Sequence, residues 1–182
     1  MRLHVVFFVL LCLAATAFAN PTSFPKNISW LKDLATNETF LAAKLTAAER
    51  KQIIEQVETT SFDAPDSWLS ELRVRRVSLG KSDGLLIRGT QLLCGGTGNC
   101  ETWVFRRSGD EWLNMFDHQA PIVSAFGFDQ EISGIKNFIV SANSSADKES
   151  RILYKFDGKF YRESECYDVS VAAGKIEGVP CK

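Results

Sequence analysis

From about residue 72 onward, the chain consists of short stretches in which apolar and polar residues alternate, each followed by a turn sequence. Such alternation predicts strands with one buried face. Ser108-Gly109-Asp110 joins "ETWVFRR" to "EWLNMF", and Asp157-Gly158 joins "RILYKF" to "KFYRESECY". An Asp-Gly pair favours a tight hairpin, because both central residues of a type I′ turn need positive φ. This part of the chain therefore predicts an antiparallel meander.

The preceding residues carry helix signals instead. Ser29 is placed to cap a short helix through Leu34, and Asn37 is placed to cap another that carries Phe40 and Leu41. Polar side chains at such positions accept hydrogen bonds from the free N–H groups of a first helical turn. We therefore expect two short helices in this region.

A capping box at Thr46 and Glu49 marks a third helix. In this motif the threonine hydroxyl accepts a first-turn N–H, and the glutamate carboxylate accepts the N–H of the threonine. The motif predicts a helix over residues 47–58. The apolar stripe of this helix, which we expect to be buried, consists of Ile53, Ile54 and Val57.

These patterns predict an α+β fold in which N-terminal helices pack on one face of a twisted, mostly antiparallel β-meander. A small β-sandwich or barrel with the helices at one end is the alternative. In the first strand, "ELRVRRVSL", Leu72 and Val74 lie on one face whereas Val77 and Leu79 lie on the other. We expect a β-bulge near Arg75 and Arg76 to reconcile the two halves of this strand.

The N-terminus is organised like a secretory signal. Arg2 precedes an apolar run, and Ala17 and Ala19 form the small-x-small pattern that signal peptidase cleaves. We expect residues 1–19 to be removed, which leaves 20–182 as a single secreted or periplasmic domain. No later segment contains the roughly 20 apolar residues that a membrane-spanning helix needs, so no membrane insertion is expected.

The charge of the chain gives little indication of its partners. The formal net charge is −1 at pH 7, which does not favour binding to nucleic acid or to an anionic membrane. The short basic run of Arg73, Arg75 and Arg76 is interpreted as a solvated strand face.

Four cysteines remain once Cys12 has left with the signal: Cys94, Cys100, Cys166 and Cys181. An even number of cysteines in an exported chain favours disulfides over metal ligands or a catalytic thiol. Three pairings are formally possible. Proximity in sequence favours Cys94 with Cys100 and Cys166 with Cys181.

The first of these pairs encloses a candidate binding segment, which we call the cystine loop (residues 94–100). Glycine relieves steric strain in such a small ring. The loop is either a tip that is presented to a partner or a structural staple. The candidate binding residues within it are Gly95, Gly96, Thr97, Gly98 and Asn99.

Catalytic signals are few. His118 is the only histidine left after removal of the signal, and it stands in the polar sequence "FDHQAP". Neither a Gly-x-Ser-x-Gly elbow nor a paired Cys-x-x-Cys metal motif is present. We therefore predict no catalytic residue, no metal and no cofactor, and we expect that the protein is not an enzyme. An exported hydrolase that combines His118 with acidic residues is the alternative.

The order of these features resembles the Ivy-type periplasmic inhibitors of vertebrate lysozyme. The resemblance covers roughly residues 42–116: helix signals, Trp68, the strand "RRVSLG", and a Cys-loop-Cys segment that leads into "ETWVFRR". That family is α+β, and its disulfide-closed loop enters the active-site cleft of the lysozyme. Cys94 and Cys100 match the pair that closes the loop. The family's loop is one residue shorter and carries a histidine, which "GGTGN" lacks.

The segments "CGGTGNC…WVF" and "YKFDGKFY" also resemble uncharacterised exported bacterial proteins. The idea of a presented loop is carried over from the inhibitor resemblance, without its lysozyme target. We expect an exported, non-enzymatic binding or inhibitor-like module. Its expected partner is an exported or host protein such as a hydrolase.

Overall fold

The computed structural model describes residues 23–31, 38–57, 69–117, 121–132 and 134–181. These residues form one α-helix, two short 3-10 turns and twelve β-strands, and the strands build two antiparallel sheets. The structure is therefore mostly β. The prediction of an α+β fold with N-terminal helices packed on a meander is wrong.

The helix is α1 (Ala47–Ile54). The strands, in chain order, are β1 (Ser29–Trp30), β2 (Glu38–Thr39), β3 (Leu72–Ser78), β4 (Asp83–Gly89), β5 (Cys100–Ser108), β6 (Glu111–Asn114), β7 (Ile122–Val123), β8 (Ala125–Ile132), β9 (Ile135–Asn143), β10 (Lys148–Phe156), β11 (Tyr161–Ser170) and β12 (Lys175–Val179).

The first sheet has the strand order β1-β8-β9-β10-β11-β12, and the second has the order β2-β3-β4-β5-β6. The strand β7 pairs with the first residues of β5. Most neighbours are joined by hairpins, but β1 pairs with the distant β8, with Ser29 opposite Phe128. The two sheets are also bridged by the main chain, because Lys136 N–H donates to the Leu79 carbonyl at 3.1 Å.

The second sheet is the middle layer of the molecule. One of its faces packs against α1 in a cluster that includes Ile53, Leu85, Ile87 and Trp103. Its other face packs against the first sheet in a cluster that includes Leu79, Leu86, Val104, Phe126 and Phe138. Consequently, α1 covers a face of this sheet, whereas the sandwich alternative placed helices at one end.

The two buried faces explain the apolar pattern of β3 without a bulge. The register between β3 and β4 is continuous from Leu72 opposite Gly89 to Ser78 opposite Asp83, so the bulge predicted near Arg75 is absent. Leu72 and Val74 belong to the cluster under α1, and Val77 and Leu79 contact the cluster between the sheets. The apolar residues change face because each half of the strand serves a different core.

The capping box is present as predicted. The Thr46 hydroxyl accepts the Glu49 N–H at 3.2 Å, and Glu49 Oε2 accepts the Thr46 N–H at 2.8 Å. The helix is shorter than the predicted 47–58, since it ends at Ile54. Ile53 and Val57 are buried, and the partly buried Ile54 packs against the same cluster.

The two other predicted helices are wrong where the structure describes them. Ser29 lies in β1, which pairs with β8, and Phe40 directly follows β2, which pairs with β3. Asn37, the predicted cap of the second helix, lies outside the described residues. Strand pairing with distant segments overrides the weak local preference for a helix.

The predicted hairpins form, although one turn differs from the expected type. A turn at Gly109 joins β5 to β6, and its φ of 61° suits glycine. The β10–β11 connection is longer than a two-residue Asp-Gly turn. In it, the Asp157 carboxylate accepts the N–H groups of Lys159 and Phe160 at 2.8 and 2.7 Å. These bonds are the main reason that the pKa of Asp157 is lowered to about 2.

Candidate functional site

The cystine loop begins where β4 ends. A single 3-10 turn, Gln91–Leu93, follows β4 and directs the chain back toward β5. Leu93 is buried and anchors this turn, whereas its neighbour Leu92 is 56% exposed. Gly89 is required for this packing, because a Cβ atom on it would lie 2.3 Å from the Leu93 Cβ.

A disulfide and two short main-chain hydrogen bonds close the loop. The structure pairs Cys94 with Cys100, which is the pairing that sequence proximity favours. Within the ring, Gly95 N–H donates to the Asn99 carbonyl at 2.8 Å, and Gly98 N–H donates to the Gly95 carbonyl at 2.9 Å. These bonds hold the loop in one conformation ahead of any binding event.

Asn143, at the end of β9, fixes the loop to the first sheet. Its N–H donates to Asn99 Oδ1 at 2.8 Å, and Asn99 Nδ2 donates back to the Asn143 carbonyl at 2.8 Å. Asn143 Nδ2 also donates to the Thr97 carbonyl at 3.0 Å. The loop therefore has a defined position relative to both sheets.

The tip of the loop is open to solvent. Gly95, Gly96, Thr97 and Gly98 are exposed, and Asn99 is half-buried. Only Gly98 has the positive φ, 76°, that favours glycine. A Cβ on Gly96 would meet no atom within 4 Å, and a Cβ on Gly95 would make only ordinary contacts at 3.9 Å or beyond. The sequence predicts that all three glycines relieve strain in the ring. The structure shows this need at Gly98 alone.

A groove of about 390 Å³ lies beside the tip. Its walls come from the loop, from the β9–β10 turn and from the β11–β12 turn: Gly96, Thr97, Asn143, Ser145, Ala146, Glu149 and Val171. Val171 is 50% exposed. The Glu149 Oε2 atom accepts from Ser141 Oγ at 2.9 Å and from Arg151 Nη2 at 3.0 Å. The groove therefore combines a fixed carboxylate with the exposed apolar side chain of Val171.

The second disulfide joins Cys166 on β11 to Cys181, just after β12. Within the described ranges, the only cluster of potential metal ligands consists of Glu163 with these two cysteines. Because both sulfur atoms are oxidised in the disulfide, they offer no thiolate to a metal ion. The two disulfides are compatible with an extracellular or periplasmic location.

Two other predictions concern segments that the structure does not describe. His118, on which the hydrolase alternative depends, lies outside the described residues, and so does the predicted signal over residues 1–19. Among the helices that are described, none is both long and apolar enough to span a bilayer.

No family profile, curated protein or solved structure matches this chain. The resemblance to the Ivy-type inhibitors therefore remains an expectation that depends on the quoted residues alone.

Sequence reasoning located the loop but missed its support. The cysteine spacing identifies Cys94 and Cys100 because both lie within one short segment. Asn143 could not be found in this way, since it is 44 residues from Asn99 and meets it only through the pairing of sheets. No local pattern around Asn143 signals this contact.

Proposed function

We propose that this protein is an exported, non-enzymatic binding module that inserts its cystine loop into a cleft of a partner protein such as a hydrolase. The observation that carries this proposal is the bare main chain at Gly95 and Gly96. Neither steric crowding nor a positive φ calls for glycine at these two positions. A partner that closely approaches the main chain gives a reason for the missing side chains.

The rigidity of the loop supports the same function. The disulfide, the two internal hydrogen bonds and the contacts of Asn143 order the loop in the free protein. A partner then loses little affinity to the cost of ordering the loop. Val171, in the groove beside the tip, and Leu92, in the turn that precedes the loop, are exposed and offer apolar contact area. A loop that served only as a staple would need neither the bare tip nor this surrounding surface.

The proposal is tested by adding a charge at the tip. The wild-type protein is used to capture a partner from the exported fraction of its source, and the dissociation constant of the purified pair is then measured. We expect Thr97→Glu to raise this constant at least about tenfold, because the new charge is desolvated without a partner. Its melting temperature should remain close to the wild-type value, because Thr97 is exposed.

Ser108→Glu provides the matched control. Ser108 is also exposed and lies at the opposite end of β5, so it receives the same charge far from the tip. We expect this variant to bind like the wild type. If Thr97→Glu binds the captured partner as tightly as Ser108→Glu, the loop is not the binding element.

A second pair of variants separates binding from folding. Gly96→Ala adds one methyl group at a position with free space and ordinary φ, so we expect unchanged stability but weaker partner binding. Gly98→Ala forces alanine into a φ of 76° and should cost about 1 kcal/mol of folding free energy. Equal affinity of Gly96→Ala and wild type for the captured partner would contradict close approach to the main chain.

A further inference from the structure

Arg88 is a buried cation in the middle strand of the second sheet. It lies near the end of β4, and only 6% of it is exposed. Its Nη1 atom is inaccessible to solvent and has no hydrogen-bond partner among the residues that the structure describes. In the described part of the chain, no carboxylate forms an ion pair with it. Burial lowers the pKa of its guanidinium.

The cross-strand neighbours of Arg88 do not neutralise its charge. On the same face of the sheet, β3 places Arg73 directly opposite Arg88, and β5 places Thr102 there. Arg73 Nη1 donates to the main-chain oxygens of Ser70 and Leu72, at 2.8 and 3.1 Å. The Thr102 hydroxyl donates to the Cys100 carbonyl of its own strand at 3.1 Å. Arg88 therefore has a second cation and a neutral hydroxyl as its neighbours.

The acidic residues of the adjoining segments are directed elsewhere. Glu71, just before β3, accepts the hydroxyl of Thr90 at 2.8 Å. Glu101, beside Thr102 on β5, lies on the opposite face because side chains alternate along a strand. No ion pair joins Arg88 to Glu71 or to Glu101 among the described ion pairs.

This arrangement is unfavourable for the polypeptide on its own. Like charges directly opposite each other in a sheet repel, and a buried cation without a partner loses its hydration without compensation. A guanidinium offers a planar set of donors that fits an oxyanion through two parallel hydrogen bonds. An oxyanion is therefore the chemical group that would satisfy this site.

We propose that Arg88 and Arg73 bind a small oxyanion of the phosphate or sulfate type, on the face of the second sheet that is turned toward the first sheet. Arg73 is half-buried, so the site has a side that solvent reaches. The basic run of Arg73, Arg75 and Arg76 is then more than a solvated face. Neither arginine of the proposed site belongs to the cystine loop, so anion binding does not require the loop to bind a partner.

The proposal is tested by titrating the purified full chain with sodium phosphate and, separately, with sodium sulfate. Heats of binding are measured by calorimetry, and melting temperatures are compared with those in sodium chloride of equal ionic strength. We expect saturable binding of one anion per chain, and a melting temperature that rises with phosphate or sulfate beyond the chloride value. The anion with the smaller dissociation constant is the preferred one.

Two variants separate this site from general salt effects. Phosphate and sulfate stabilise many proteins by exclusion from the surface, so Arg76→Met serves as the control. Arg76 is exposed on the same strand as Arg73 but on the other face. We expect Arg76→Met to bind like the wild type, and Arg88→Met to lose at least about tenfold in affinity.

Arg73→Gln changes a half-buried residue and keeps the experiment decisive if Arg88→Met does not fold. We expect it to weaken binding severalfold, because one of the two guanidinium groups is lost. The absence of a binding heat for the wild type would overturn the proposal. Equal melting-temperature rises in wild type, Arg88→Met and Arg73→Gln would do the same.

Discussion

Glu49 links the start of α1 to the second sheet. Its Oε2 accepts the Thr46 N–H at 2.8 Å, and its Oε1 accepts the Trp112 indole N–H at 3.1 Å and a guanidinium N–H of Arg107. The bond from the Thr46 main chain is the largest reason that the pKa of Glu49 is lowered to about 2. Partial burial acts in the opposite direction, whereas Trp112 and Arg107 add to the lowering.

This lowered pKa predicts a loss of stability in acid. Because the folded pKa lies below the ordinary value of 4.5, the ionised Glu49 stabilises the fold fully above pH 4.5. The contribution, about 3 kcal/mol at most, is lost as the pH falls from 4.5 toward 2. We therefore expect Glu49→Gln to have a lower urea midpoint than wild type at neutral pH, and a smaller decline across this acidic window.

Glu55→Gln is the control for this measurement. Its side chain is 63% exposed, and its described ion pair is with Lys51 at 3.8 Å on the surface of α1. Loss of this exposed carboxylate should therefore leave the acid dependence of the wild type intact. If the urea midpoint of Glu49→Gln fell with pH as steeply as that of the wild type, other carboxylates would be the cause of the acid sensitivity.

At the scale of elements, prediction from sequence worked for α1 and failed for β1 and β2. The start of α1 is encoded within the four residues from Thr46 to Glu49, which satisfy each other's hydrogen bonds. The short strands at Ser29 and Glu38 exist only because β8 and β3 pair with them. Their own residues carry no comparable local signal.

The packing of α1 gives a test at this scale. Ile53 is fully buried in the cluster between α1 and the second sheet. We expect Ile53→Ala to lower the free energy of unfolding by about 2–5 kcal/mol, because it leaves a cavity. Ile54→Ala, at a half-buried position, should lower the free energy of unfolding by less than Ile53→Ala does. Glu55→Ala should change it by no more than about 0.5 kcal/mol. Urea titrations decide this, and a larger loss at Ile54 than at Ile53 would contradict the orientation of the helix.

At the scale of the whole molecule, the hairpins could be predicted but their distribution between two sheets could not. Alternation along a strand shows which residues share a face, yet β3 has apolar residues on both faces. Only the three-dimensional arrangement shows that one face meets α1 and the other meets the first sheet. The support of the cystine loop by Asn143 depends on this same arrangement.

The two disulfides should contribute unequally to the stability of the whole chain. Cys94 and Cys100 are separated by 6 residues, and Cys166 and Cys181 by 15. In the chain-entropy description, removal of the first pair costs about 2 kcal/mol and removal of the second costs about 3 kcal/mol. Urea unfolding of the two double Cys→Ser variants measures these losses. The reverse order would show that the cystine loop contributes native contacts beyond its crosslink.

The pairing of β1 with β8 has a consequence for the folding pathway. Ser29 cannot meet Phe128 until all of the intervening chain is available. Closing so long a loop is entropically costly unless the segment between is already ordered. We therefore expect β1 to dock last, onto a sheet that later residues have already built. The Leu31 N–H reports this docking, because it donates to the Phe126 carbonyl at 2.8 Å. In a refolding experiment followed by pulsed hydrogen exchange, the amides of β9 and β10 should become protected before that of Leu31.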